Sequence, residues 1–352
     1  MAQSVFPISG AYSGELQLEY LPTINYALLH QRDQILTFCG LRNTGENLWP
    51  SCSITLSGPY VQALDVSCGM LAPSESLQVK DCVLKVDLMQ VASMTEALSS
   101  HFELTVKIGE EVVLQQSLPL RLLPFDYWLG TRIMPELLAS FVTPNHPSIA
   151  KIGRRAANFL EQWTGQSSLT AYQMRDPQQV RYQVAAIYEA LRAEGINYVV
   201  SPPTFEVEGQ RVRLSDRVLA EKQSNCLEST LLMAACLEAY GLHPILCLIE
   251  GHAFVGVWLV EDCADQMVSD DVSYLRKSLA DGVSEMLFVE ATCFTSATPV
   301  PFDDAVRQGY QRLLEGDFEL WIDVFRCRLS QVRPLPQRVH AEGQIWVEDE
   351  DP

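Results

Sequence analysis

The chain has 352 residues, 47% of them hydrophobic and 20% charged, a balance that excludes a disordered chain and leaves length for two domains with their own cores. A formal net charge of −19 disfavours nucleic acid and anionic membrane surfaces as partners, because gripping phosphates needs clustered Lys and Arg. No apolar run approaches the roughly 20 residues of a membrane helix. The start Met1-Ala2-Gln3-Ser4-Val5 has neither the basic opening nor the apolar core of an export signal, so a cytoplasmic location is expected.

Residues 1–124 read as short strands with polar turns. Leu16-Gln17-Leu18-Glu19-Tyr20 alternates, Ile35–Cys39 is a buried-type run, and Asn43-Thr44-Gly45 turns the chain. Ser53–Leu56, Phe102–Ile108 and Val112–Leu114 add strands, punctuated by Gly58-Pro59, Pro73-Ser74 and Gly109-Glu110. Leu88–Leu98 reads as a short helical crossover. Many short strands at near-regular spacing predict an antiparallel β-sandwich of immunoglobulin type.

The pattern changes at Phe125-Asp126-Tyr127-Trp128, and residues 125–340 read as a second, α+β domain. A helical segment begins at Pro135, and Pro147 opens the next helix, about 148–163. Asp176-Pro177 caps and starts a helix ending near Glu194, where Gly195 stops it. A strand at Asn197–Val200 and a loop through Pro202-Pro203 lead to a helix over 226–240, ended by Gly241. Strands follow at 245–250, 253–260 and 286–290, with a polar surface excursion at 262–284. A helix at 303–314 and a strand at 319–327 precede an extended stretch from about 331 and an acidic tail at 341–352.

The chemistry concentrates in Ser224-Asn225-Cys226-Leu227-Glu228, Gly251-His252-Ala253-Phe254 and Phe288-Val289-Glu290-Ala291-Thr292. Asn225 as N-cap with Glu228 three residues on makes a capping box and sets Cys226 at the first helical position. Free backbone N–H groups and the helix macrodipole favour a thiolate there, but helix-end effects are worth only about 0.3–1 kcal/mol. An imidazole must supply the rest. His243 follows the far end of the helix, about 20 Å from Cys226. His252 opens a strand that returns toward the helix start, so His252 is the expected base. Glu290, ending an apolar strand, is the expected group that orients the ring, with Thr292 as a possible helper. The backbone N–H of Cys226 and the Gln223 side chain are the candidate oxyanion donors, and Trp258 reads as core.

Ten cysteines without a CxxC pair read as reduced thiols, mostly small apolar core groups, with one reactive member. Close-paired metal ligands are absent, so neither a zinc site nor any other cofactor is expected.

These segments, with Leu232–Pro244 and Val255–Leu259 between them, resemble the transglutaminase-like domain, a papain-like fold, in the version found at the front of large bacterial helicase-containing proteins. The resemblance covers about residues 125–336, and the sandwich before it also resembles what precedes that domain. It implies a Cys-His-acid triad mapping onto Cys226, His252 and Glu290. Many such sites carry Asp where this chain has Glu. No GxxxxGK[ST] phosphate loop of the helicase relatives occurs here. The expected activity is a cysteine protease or amidase working through a thioester on a protein or peptide amide, the sandwich positioning a substrate or partner protein. The alternative is an idle protein-binding module on the same fold, in a bacterial defence or helicase-linked system.

Overall fold

A computed structural model describes residues 2–32, 34–200, 209–278, 285–341 and 344–348. They form a mixed α+β protein in two units, Met1–Phe125 with Arg338–Glu348, and Asp126–Gln337.

In the first unit β1 (Ala2–Ile8), β2 (Gly14–Tyr20), β4 (Leu36–Asn43) and β7 (Ser76–Gln78) make an antiparallel sheet in the order β1-β2-β4-β7. A second sheet runs β3-β9-β8-β5-β6, from β3 (Thr23–Ile24), β5 (Trp49–Gly58), β6 (Val61–Leu71), β8 (Leu98–Ile108) and β9 (Glu111–Leu122). The period-2 pattern explains both: in β2 residues Leu16, Leu18 and Tyr20 are buried and their neighbours half-buried. The two sheets meet where the Tyr20 and Phe102 rings pack edge to face at 5.4 Å. β8 and β9 turn at Gly109, whose φ of 59° suits glycine. Two short helices complete the unit, α1 (Tyr26–Gln31), capped by Asn25, and α2 (Leu88–Ser93), capped by Asp87. The expected helical crossover at 88–98 is therefore α2 followed by the start of β8.

In the second unit β10 (Tyr127–Trp128) pairs with β12 (Gln210–Arg211), and β11 (Asn197–Tyr198) runs parallel to β13 (Gln223–Ser224). The main sheet is antiparallel, in the order β16-β18-β14-β15-β17. Its strands are β14 (Pro244–Ile249), β15 (His252–Trp258), β16 (Val268–Ser269), β17 (Met286–Val289) and β18 (Phe318–Asp323). After a 3-10 turn at Pro135–Phe141 come α3 (Pro147–Thr164), α4 (Pro177–Arg192), α5 (Ser215–Glu221), α6 (Cys226–Ala239), α7 (Val272–Lys277), α8 (Phe302–Glu315) and α9 (Val324–Leu329). α6 is apolar on every side, and Cys226 through Leu237 are all buried. It is therefore a central helix, with β14 and β15 on one side and α3, α4 and α5 packed against it.

Three expectations change. The strand at 319–327 ends at Asp323, because its carboxylate accepts the Arg326 N–H at 2.8 Å and caps α9. The polar excursion at 262–284 contains α7 and β16, the latter paired with β18. The segment from 337 pairs β19 (Gln337–Ala341) with β20 (Gln344–Glu348), which group with the first unit. The loop at Pro202-Pro203 and the acidic run beyond Glu348 lie outside the described residues.

Candidate active site

The start of α6 is fixed by a complete capping box. Asn225 Oδ1 accepts the Glu228 N–H at 2.9 Å, and Glu228 Oε2 accepts the Asn225 N–H at 3.0 Å. Glu228 is itself buried, and its other oxygen takes the Arg213 N–H at 2.9 Å while the Arg213 guanidinium pairs with both oxygens. Ser224 and Ser229 share a 2.8 Å hydroxyl hydrogen bond across the same turn. These contacts hold Cys226 at the first helical position, 7% exposed, with its backbone N–H at the positive end of the helix.

β14 and β15 are joined through Glu250 and Gly251, and Gly251 takes φ 69°, which a side chain would strain. This tight hairpin returns the chain to the start of α6 and delivers His252 as the first residue of β15. His252 Nε2 lies 2.7 Å from Glu290 Oε2. The Cys226 sulfur is near enough to act on the imidazole electrostatically. With Nε2 committed to Glu290, Nδ1 is the nitrogen that faces sulfur. Burial pushes the imidazole down, but Cys226 and Glu290 outweigh it and hold the pKa up at about 9.

Glu290 follows β17 and is 1% exposed. Its Oε1 accepts both the Thr292 N–H at 3.1 Å and the Thr292 hydroxyl at 2.7 Å, capping the 3-10 turn Ala291–Thr295. Its Oε2 accepts Arg312 Nε at 3.1 Å besides the His252 ring. Burial raises this carboxyl, yet His252 and the Thr292 donors prevail and keep it below the usual carboxylate range. Arg312 reaches Glu290 because α8 runs close against β17. A Cβ on Gly309 would stand 2.6 Å from the Phe288 carbonyl carbon and oxygen, so only glycine permits this approach.

Tyr198, 44% exposed, has its phenol close enough to Cys226 to interact with it electrostatically. The β11–β13 ribbon places it there: Tyr198 is in register with Ser224, and the Val199 N–H binds the Ser224 carbonyl at 2.9 Å. Burial, then the nearby Cys226 sulfur, push the phenol up to about 12, so it is a neutral O–H near pH 7. Gln223 is exposed and in register with Asn197, on the ribbon face opposite Tyr198 and Ser224. Among the described residues no hydrogen bond joins it to Cys226, His252 or Glu290, and Tyr198 lies nearer Cys226.

The structure thus brings Cys226, His252 and Glu290 together and leaves Gln223 apart. His243 lies at the other end of α6, stacked on Phe325 at 3.8 Å with Nδ1 2.6 Å from the Asp262 carbonyl oxygen. Trp258 is buried and donates its indole N–H to Asp323 at 3.1 Å. Tyr198 and Arg312 were missed by the sequence reading. Nothing in a two-residue strand or an amphipathic helix marks them, although Asn197–Val200 did read as a strand leading toward the nucleophile. Among the described residues no group of three or more His, Cys, Asp or Glu is placed to hold a metal ion, and no helix is long and apolar enough to cross a membrane. Neither a protein-family model nor a curated relative matches the chain.

Proposed function

We propose that the second unit is a transglutaminase-like, papain-like domain acting as a cysteine hydrolase on a protein or peptide amide, with an immunoglobulin-like sandwich in the first unit to engage the substrate or a partner protein. The observation that carries this reading is the 2.7 Å contact between His252 Nε2 and Glu290 Oε2, with Cys226 at the capped helix start close enough to act on the same ring. Glu290 fixes the ring and stabilises the imidazolium. The imidazolium in turn stabilises the Cys226 thiolate at the capped helix start.

In this mechanism the sulfur attacks the amide carbonyl carbon. The carbonyl oxygen becomes an oxyanion beside the Cys226 backbone N–H, and the Tyr198 O–H is the second donor. The imidazolium gives its Nδ1 proton to the departing amine as the C–N bond breaks, leaving a thioester. Neutral His252 then takes a proton from water, whose oxygen attacks the thioester carbonyl. The carboxylic acid leaves and the thiolate–imidazolium pair returns. The ten free cysteines fit a reducing, cytoplasmic setting. Arg211, Arg213 and Arg217 are each paired with Asp126, Glu221 or Glu228, which speaks against this basic group serving nucleic acid.

One observation favours a second reading, a protein-binding module whose triad is idle. The Tyr198 phenol lies by Cys226, and Cys226 is 7% exposed. A thiol-directed electrophile separates the two near neutral pH. The hydrolase reading requires Cys226 to be labelled far faster than the other cysteines, and His252→Ala to remove that advantage. Uniform labelling, or labelling indifferent to His252, leaves the binding module.

A further inference from the structure

The four cysteines of the first unit, Cys39, Cys52, Cys68 and Cys82, fall into two pairs that act on one another electrostatically, Cys39 with Cys82 and Cys52 with Cys68. The second pair is made by an irregularity in the β5–β6 ladder. Cys52 lies opposite Gly69 and Ser53 opposite Ser67, so Cys68 is the extra residue of a β-bulge. Gly69 takes φ 73° with open space where a Cβ would stand, so glycine serves the backbone conformation there. In regular pairing, a residue one step off the opposite position points to the other face of the sheet. The bulge removes that alternation and sets Cys68 beside Cys52. Each thiol donates to a backbone carbonyl of β6, Cys52 to Gly69 at 3.2 Å and Cys68 to Val66 at 3.7 Å. Cys68 is the half-buried member of the four, and the other three are buried.

We propose that Cys52 and Cys68 are a reversible dithiol–disulfide site that exchanges with small-molecule disulfides of the glutathione class. Cys68 is the entry point. The neighbouring Cys52 holds the Cys68 thiol below its usual range, favouring the attacking thiolate. The Cys68 thiolate attacks one sulfur of oxidised glutathione, forming a mixed disulfide and releasing one glutathione thiolate. Cys52 gives its proton to that thiolate and attacks the Cys68 sulfur, releasing the second glutathione, which takes its proton from solvent. Two thiols and one disulfide become one disulfide and two thiols, so atoms and electrons balance. Cys39 and Cys82 have no member open to solvent, at 3% and 6% exposure, and stay reduced while the fold is intact. This site stands independently of the function proposed for Cys226.

The test is made on the full chain and, to remove the other nucleophile, on Cys226→Ala. Each is equilibrated with oxidised glutathione, trapped by alkylation in denaturant, cleaved after lysine and arginine and on the N-terminal side of aspartate, which separates Cys39 from Cys52 at Arg42 and Cys52 from Cys68 at Asp65, and mapped by mass spectrometry. The expected result is a Cys52–Cys68 linked pair, reversed by dithiothreitol, with Cys39 and Cys82 alkylated. Cys52→Ser should stop at a glutathione adduct on Cys68, and Cys68→Ser should lose both linkage and adduct. The proposal is overturned by Cys52 and Cys68 both remaining alkylated, by an adduct on Cys68 that never resolves in the full chain, or by a linkage joining Cys68 to Cys39 or Cys82. Because the decisive readout uses the unmutated chain, a folding failure in a cysteine variant does not protect the proposal.

Discussion

In the first unit Cys52 faces Cys68 and Cys39 faces Cys82. In the second, Cys226 faces an imidazole and a phenol, while Cys236 and Cys247 sit in hydrocarbon, where burial pushes their thiols up. One side chain thus appears in three settings, and the neighbour decides its chemistry. A second sulfur offers exchange, an imidazole offers proton transfer, and hydrocarbon offers neither. Burial does not separate these cases, since Cys226 is buried like Cys236.

The comparison breaks most sharply at the imidazole. His252→Ala should turn Cys226 into an ordinary buried thiol, lowering electrophile labelling and any amide hydrolysis by about 10²–10⁴-fold. The fold should be intact by circular dichroism, since His252 opens β15 at the edge of the core. Cys226→Ala should abolish turnover altogether. A variant lacking His252 that still labels at the full rate would mean the helix start alone activates the sulfur.

The phenol comes next. If Tyr198 donates to the oxyanion, Tyr198→Phe removes one donor and should cost about 10²–10³ in kcat, with KM little changed. If Tyr198 merely covers an idle thiol, the same variant should label faster. The sign of the change therefore separates the two readings of function.

Glu290→Gln sharpens the electrostatic side. The carboxylate accepts from four donors at once, on Thr292, His252 and Arg312. An amide must turn an NH2 toward one side of that set, which disturbs the ring and should cost about 10²-fold. The loss of charge should also move the alkaline limb of the rate profile from near 9 toward the ordinary histidine value of 6.5. In the intact protein His252 is raised on folding. Its stabilising contribution is present in full below about pH 6.5 and is lost as the pH rises through 9. Thermal melts across that window should show melting temperature falling in the unmutated chain and much less in Glu290→Gln.

How much of this was legible follows from range along the chain. The capping box and the returning strand are local signals, and the structure has Cys226 at the capped start of α6 with β15 returning from β14. The ends of α3 and α4 were legible for the same reason, through Pro147, Asp176 and Gly195. Asp323 was missed because a strand and a capped helix share apolar residues there, and only the carboxylate's partner separates them. Tyr198 and Arg312 depend on strand register and on the close approach at Gly309, which no local pattern carries. The Cys52–Cys68 pair depends on a single bulged residue that no local pattern marks, and from sequence those cysteines read as core groups.

Oxidation supplies the counterpart in the first unit. A Cys52–Cys68 disulfide closes a loop of about 15 residues, for which chain entropy gives about 3 kcal/mol. The measured gain should fall below that wherever the unfolded chain keeps the local β5–β6 hairpin. Calorimetry of oxidised against reduced protein should show a rise of a few degrees, absent in Cys68→Ser.

The smallest effect is expected at Arg312. Its Nε shares Glu290 Oε2 with the imidazole, but its side chain is 47% exposed, so solvent screening leaves the pair worth under about 1 kcal/mol. Arg312→Met keeps the apolar stem along α8 and leaves Oε2 with the His252 donor alone, so activity should fall only about two- to fivefold. Gly309→Ala tests the same contact by geometry. Its added carbon meets the Phe288 backbone and pushes α8 away from β17, carrying Arg312 and the Glu290 backbone with it, since the Glu290 N–H is bonded to the Ala305 carbonyl of α8 at 3.0 Å. If Gly309→Ala loses far more activity than Arg312→Met at equal folded fraction, α8 acts by holding the strand end that presents Glu290. If the two losses are equal, the guanidinium itself orients the carboxylate, and the discount for exposure was misplaced.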